Sequence, residues 1–388
     1  MAASLEDVSR RDKLGLIAEW MDPHASLLRR FYFFFYPYDS TIEMYDVKRN
    51  RIFLRRTRVE NLNFGDIYVG NYITIFSRQV KLVDYANVMT KRLLGMKMMK
   101  TFALITPDGI ENKSKILQIL LSNGFTIINL RMLKFTDSIA EKLLEYEKSS
   151  PTYLELKTHL QSSGASIAME LVGENAVDRL KKIAGPKDPN VARKEDPSSI
   201  IALLGFDEVH NSFYYSPSVS VAAKQTQLIF ENEETLKNPE IQTVLLQDST
   251  CCVVKPHAVK EGKLGDILSE IEKKGFKITA MQMFHMNAAN TEEFYEIYKG
   301  VLTEYTDMVQ ELTSGTCVAL EIIGPYGKDT PLHFRAFVGP SDPDIARKLR
   351  PDTLRAHFGK DKVHNAVHAS DLPTDGVLEV EYFFKVIV

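Results

Sequence analysis

Polar and apolar residues alternate along Thr41-Ile42-Glu43-Met44-Tyr45, the period-two pattern of a half-buried strand. The stretch before it, Phe31 to Tyr38 (FYFFFYPY), is too aromatic for a surface helix, and Pro37, Asp39 and Ser40 mark a turn. Asp46 to Arg51 reads as a charged turn and Arg51 to Leu54 as the returning strand. Asp66 to Ile75 predicts a further strand, interrupted at Gly70. Residues 1–92 are thus expected to form a compact β-rich, mostly antiparallel domain. Residues 91–100 (KRLLGMKMMK) are expected to form a short connector.

Beyond the connector the pattern occurs twice. Phe102 to Gly109 matches Cys252 to Ala258, each an apolar strand stopped by proline. A helix follows in each copy (Ser114 to Asn123, Lys263 to Lys274), closed by Gly124-Phe125 or Gly275-Phe276, and then a strand. Ser163-Gly164 pairs with Ser314-Gly315, Gly185-Pro186 with Gly339-Pro340, and Asn211 with Asn365. The offset grows from 149 (Pro107 to Pro256) to 154 (Asn211 to Asn365), so the second copy carries five extra residues, some around Gly324 to Thr330. The copies are placed at 96–235 and 248–388, with Glu231 to Gln247 as linker. The order strand, helix, strand, helix, strand, helix, strand suits an α+β, ferredoxin-like βαββαβ core. Composition alone leaves other α/β and α+β folds open.

The chain has 388 residues, 44% hydrophobic and 26% charged, which allows two or three domains with cores of their own. A net charge of -3 argues against a general DNA or polyanion binder. Cys251, Cys252 and Cys317 have no metal-ligand spacing and read as buried thiols of a reducing compartment. The N-terminus lacks the apolar core of a signal peptide, and no apolar run approaches bilayer length. A cytosolic or cytoskeletal protein without a membrane partner is expected. Lys48, Arg49, Arg51, Arg55, Arg56 and Arg58 fall within eleven positions free of acid. They read either as a solvated hairpin or as the footprint of an acidic partner such as tubulin.

The candidate chemistry lies in the second copy. His368, in Asn365-Ala366-Val367-His368-Ala369-Ser370-Asp371, carries an imidazole, a good nucleophile near neutral pH. Lys255 ends a strand, and Arg335 and Arg355 flank the Gly339-Pro340 turn. Two guanidiniums and an ammonium suit a polyphosphate. Ser341 could donate to phosphate and Asn365 bond a sugar hydroxyl, while Tyr298 and Tyr305 offer faces for a base. Singly these are ordinary surface charges and core aromatics; their joint order beside His368 is the signal.

With those residues in place, 248–388 resemble a nucleoside diphosphate kinase domain, whose signature Asn-x-x-His-Gly-Ser-Asp is matched except that Ala369 replaces glycine. The resemblance implies that His368 accepts a γ-phosphoryl group. It implies that Lys255, Tyr298, Arg335, Ser341, Arg355 and Asn365 hold phosphates and ribose, and that Tyr305 serves the base clamp. Glu379 and Ser370 would orient the imidazole, and Mg²⁺ would arrive on the NTP or NDP. Ala369 adds a methyl where backbone packs closely, so some loss of rate is expected. Arg30 to Tyr36, Glu43 to Asp46 and Asp66 to Gly70 resemble the small N-terminal domain of axonemal, EF-hand-bearing ciliary proteins. That likeness implies association with microtubules, axonemes and the γ-tubulin ring complex, in cytoskeleton, cilium or basal body. A structural axonemal protein with little kinase activity is the alternative.

The first copy departs from this set. Thr106, Lys181, Lys187 and Ile201 stand where Lys255, Arg335, Ser341 and Arg355 stand, and Tyr214 and Tyr215 replace the histidine and the residue after it. Asn211 and Ser216 remain. A phenol, with a pKa of about 10, is no phosphate carrier at neutral pH, and isoleucine donates nothing. The expectation is a retained fold without transfer chemistry, with His159 and His210 structural or superficial.

Overall fold

The computed structural model describes residues 13–387 apart from 23, 24, 61, 77 and 163. The extreme N-terminus and Ser163 of the repeated Ser-Gly pair lie outside the described residues. The chain divides into a smaller N-terminal unit and a larger one that begins at Lys100.

The N-terminal unit is an antiparallel sheet of six strands: β1 (Leu14–Asp22), β2 (Leu27–Tyr36), β3 (Thr41–Asp46), β4 (Arg51–Arg58), β5 (Tyr72–Ile75) and β6 (Arg78–Tyr85), ordered β4-β3-β2-β1-β6-β5. Alternation along β2 sends Phe31, Phe33 and Phe35 into the core against Leu16, Ile42 and Met44, all essentially inaccessible. One sequence expectation changes here. Asp66 to Ile75 is not one interrupted strand: a turn at Phe64–Asp66 buries Ile67, and Gly70 adopts φ +100 while its N–H donates to Leu82 O at 2.7 Å. Only Tyr72–Ile75 then pairs, because the left-handed turn consumes the residues before it. The connector expected at residues 91–100 is mostly helical. Val88–Lys97 is a helix capped by Asn87, which accepts from Thr90 N–H, and Leu94 is fully buried in the sheet's core. The six basic residues are exposed on the β3–β4 hairpin and on β4, an edge strand, where charge also discourages edge-to-edge pairing.

The larger unit holds both repeats in one sheet of eight strands: β7 (Met99–Ile105), β8 (Thr126–Leu133), β9 (Ser166–Gly173), β10 (Phe213–Tyr215), β11 (Ser249–Val254), β12 (Lys277–His285), β13 (Thr316–Ile323) and β14 (Val367–Ala369). The first copy contributes β10-β7-β9-β8 and the second β12-β13-β11-β14, so each has its fourth strand outside its first and its third strand central. That is the ferredoxin-like order, with helices between strands as the repeat predicts. The copies meet edge to edge where Arg131 of β8 pairs with Gln282 of β12. Alongside, the helices Lys113–Ser122 and Leu264–Lys273 pack closely. Lys113 pairs with Glu272, and Gln118 donates to Asp266 at 2.9 Å. Gly265 permits the approach: a Cβ there would lie 2.8 Å from the backbone nitrogen of Gln118. Gly265→Val is expected to destabilise this unit by about 1–3 kcal/mol, read as a lowered urea midpoint; an unchanged midpoint would show that the seam tolerates bulk.

The linker is structured as well. Ile241 is fully buried in the first copy, and Leu245 and Leu246 donate their N–H groups to the buried Glu321 carboxylate of β13 at 2.8 and 2.7 Å. A buried carboxylate needs donors, and these linker amides supply them. Among the described residues no helix is long and apolar enough to cross a membrane.

Candidate active site

Strand β14 is three residues long, paired with β11 so that His368 faces Val253 and Val367 faces Val254. Lys255, one residue beyond β11, donates its N–H to Ala366 O at 2.9 Å and its ammonium to Val363 O at 2.8 Å. Arg355 reaches the other side of the strand, with Nε donating to Val367 O at 3.2 Å and a terminal nitrogen to Gly339 O at 3.0 Å. Lys255, Arg355, Asn365 and His368 therefore surround one short segment. Lys255 is 3% exposed; burial first, and the neighbouring Arg355 second, lower its pKa to about 7. Burial likewise holds Arg355 below its ordinary value. Two desolvated basic groups so close together would be stabilised by an anion, which offsets both their repulsion and their lost hydration.

The imidazole is held from three directions. Nε2 of His368 lies 2.8 Å from a Glu379 carboxylate oxygen, which also accepts from Ser370 Oγ at 2.9 Å. Phe294 packs edge-on to the ring at 5.0 Å and Tyr295 lies at 5.9 Å. A carboxylate can only accept from a neutral imidazole, so the proton sits on Nε2 and the lone pair on Nδ1 is left as nucleophile. Asn365 gives its amide hydrogens to Ser341 O and Lys362 O, both at 3.0 Å, and leaves a buried Oδ1 without a partner. A sugar hydroxyl would satisfy that acceptor. Arg335 sits at the rim, half exposed, paired with Asp371 at 3.0 Å. Ser341 is exposed beside it. Ala369 lies in β14 opposite Cys252, in strand backbone that accepts a methyl without strain.

Both candidate tyrosines are half-buried. Tyr298 donates its hydroxyl to Asp371 at 2.7 Å and meets Tyr295 edge-on at 5.8 Å, so its ring is engaged rather than free to stack. Tyr305 packs half-buried on the core formed by Cys251, Leu312 and Phe383, with its hydroxyl enclosed. Tyr298 is expected to hold phosphate or ribose and Tyr305 to serve the base clamp; Asp371 links the Tyr298 hydroxyl to Arg335. Phe294 and Tyr295, which clamp His368, and Asp371, which bridges Arg335 and Tyr298, carried no assigned role in the sequence. Asp371 stands within the signature itself. Phe294 and Tyr295 look like core residues by every local pattern.

In the first copy the equivalent positions carry different side chains. Tyr214 on β10 takes the place of His368, and its hydroxyl accepts from Gln225 Nε2 at 2.8 Å. Gln225 itself stands where Glu379 stands, 154 residues earlier, and also binds Ser216, the counterpart of Ser370. Lys187 pairs with Glu147 at 2.7 Å. Ile201 is fully buried, and the glycine carbonyl that Arg355 serves in the second copy is served in the first by Tyr215, whose hydroxyl donates to Gly185 O at 3.2 Å. Burial pushes the Tyr214 phenol up, further from ionisation. His159 is buried against Asp108 at 2.8 Å and His210 bonds Asp207 on the surface.

Among the described residues no group of three or more His, Cys, Asp or Glu could hold a metal ion. A hard divalent cation reaching this site would come on phosphate oxygens and water, which the cationic donor set accommodates.

The sequence matches the family model described as nucleoside diphosphate kinase over residues 99–235 and again over 248–387. It is 46% identical over 379 residues to the nucleoside diphosphate kinase homolog 7 of Rattus norvegicus, covering 98% of this chain and 94% of the relative. The homolog 7 of Mus musculus is 45% identical over the same length, with the same shares covered. The nucleoside diphosphate kinase of Aquifex aeolicus is 36% identical over 138 residues, which are 36% of this chain and 94% of its own. The chain belongs to the nucleoside diphosphate kinase family.

Proposed function

We propose that the second copy transfers the γ-phosphoryl group of a nucleoside triphosphate to a nucleoside diphosphate through His368. Nδ1 attacks the γ-phosphorus, the bond to the β–γ bridging oxygen breaks, and a diphosphate leaves with that oxygen. A second diphosphate then attacks the phosphohistidine with a terminal β-oxygen, the N–P bond breaks, and the imidazole is restored. Lys255 and Arg355 balance the charge, Asn365 Oδ1 accepts from the sugar, and Glu379 keeps the proton on Nε2. Mg²⁺ carried by the nucleotide would supply further neutralisation of the phosphate charge, with none of these residues as its ligand. The observation that carries this reading is the His368–Glu379 contact at 2.8 Å, which leaves Nδ1 free beside two buried cations.

Lys255 makes the reading testable through protons. Its folded pKa of about 7 lies below the ordinary lysine value, so at pH 8 the free site is mostly neutral at this amine. Phosphates favour the ammonium, so ADP binding at pH 8 takes up most of one proton and affinity falls as pH rises above about 7. Calorimetry in two buffers of different ionisation enthalpy measures the uptake; none at pH 8 contradicts the assignment.

A second role is favoured by the first copy, which lacks the cationic and imidazole set and instead packs its β8 edge and the helix Lys113–Ser122 against the second copy. With the exposed basic hairpin of the N-terminal unit, it supports placement on ciliary microtubules, where tubulin or other axonemal proteins, or a γ-tubulin complex, would offer acidic surface. Changing Lys48, Arg49 and Arg51 to alanine should reduce axonemal localisation; unchanged localisation removes this role for the hairpin.

A further inference from the structure

Asn365 and His368 are joined by a turn whose centre, Ala366, has φ +69 and whose ends are closed by Val367 N–H donating to Asn365 O at 2.9 Å. A residue with a Cβ in that region holds its conformation only if its surroundings impose it. Both backbone groups of Ala366 are gripped by the segment that leaves β11. Its carbonyl accepts from Lys255 N–H at 2.9 Å, and its own N–H donates to Nε2 of His257 at 3.2 Å.

An amide can only donate, so Nε2 of His257 must accept and the ring proton lies on Nδ1. That nitrogen is 2.6 Å from Glu311, which also takes the His257 backbone N–H at 3.1 Å. Burial pushes the Glu311 carboxyl up, but the bonds from His257 outweigh it and leave the carboxyl below its ordinary range. The other Glu311 oxygen faces His364 at 3.4 Å, and His364 bonds Asp361 at 2.9 Å on its far side.

The first copy grips the same turn by different chemistry. Ser212, with φ +66, donates its N–H directly to Asp108 at 2.7 Å, and Asp108 is backed by His159 at 2.8 Å. Asp108 and His257 occupy matched positions, each directly after the strand-ending proline. The order carboxylate-then-imidazole has become imidazole-then-carboxylate.

We propose that His257, oriented by Glu311, is a positioning residue of the active site: it clamps the Ala366 amide and so fixes Asn365 and His368 relative to the bound nucleotide. The inference rests on the nucleotide reading above, and it assigns work to a histidine outside the phosphate-binding set. A clamp that only held the fold would be felt evenly through the domain; a positioning clamp is felt at the turn and in nucleotide affinity.

The test uses the full chain, with amide hydrogen exchange of the peptide spanning 362–368 and calorimetric binding of ADP with Mg²⁺. In His257→Ala, loss of the acceptor should speed exchange at the turn by at least about tenfold and weaken ADP by about tenfold, with β11 and β13 protection unchanged. His257→Gln offers an acceptor to Ala366 and a donor to Glu311, and should stay within about threefold of wild type on both measures. His257→Phe keeps the ring volume without an acceptor and carries the same expectation as alanine should the alanine chain not fold. Wild-type exchange and affinity in the alanine or phenylalanine variant, or equal loss in the glutamine variant, overturns the proposal. Failure of wild-type chain to bind ADP would overturn the nucleotide reading instead, and exchange at the turn, which needs no ligand, would still decide whether His257 clamps it.

Discussion

His368→Ala is expected to lower nucleoside triphosphate–diphosphate exchange by at least about 1,000-fold, roughly 4 kcal/mol of transition-state stabilisation. The ring is buried between Phe294 and Tyr295, so truncation also opens a small cavity; stability is expected to fall by only about 1–3 kcal/mol. ADP affinity should change little, because Lys255, Arg355 and Asn365 remain in place. A steady-state coupled assay with a binding isotherm separates the two effects. If exchange survives, catalysis resides elsewhere.

Arg355→Ile repeats in the second copy what the first already contains at Ile201. It removes the donor to Gly339 O and Val367 O, both beside a buried strand, and one of the two buried cations. Stranding buried carbonyls costs about 1–3 kcal/mol each, so destabilisation of about 2–5 kcal/mol is expected, with ADP affinity reduced at least about 100-fold. The first copy also suggests the compensation. Tyr215 there serves the glycine carbonyl, and its counterpart is Ala369. The double variant Arg355→Ile, Ala369→Tyr should regain part of the stability and none of the affinity. Urea denaturation and calorimetry on both chains test this; affinity returning with the tyrosine would mean that the guanidinium is not the phosphate's partner.

The strand–helix repeat was legible in the sequence because each proline and glycine stop has a local physical meaning, and those stops recur at matched positions. The residues that the structure gathers around β14 were legible because charge at strand ends and after turns has few structural uses. Less was visible wherever burial, a tertiary property, decides a role. Tyr298 and Tyr305 could equally have stacked on a base or on the core, and only the hydroxyl of Tyr298 on Asp371 and the core packing of Tyr305 tell them apart. The order within the linker was not legible because the carboxylate that fixes it, Glu321, lies about 75 residues on. The replacement of Glu379 by Gln225 was readable from the offset once His368 and Tyr214 were matched. His257 was hidden because nothing in a lone histidine after a proline announces a tautomer.

In the proposed function, phosphoryl chemistry belongs to one copy. The most direct measurement is the intact mass of the full chain after incubation with a nucleoside triphosphate and Mg²⁺, followed by mapping of the phosphate. One phosphoryl group per chain is expected, acid-labile and base-stable, on His368. No phosphoryl group, or one placed on any residue between 100 and 235, would contradict it.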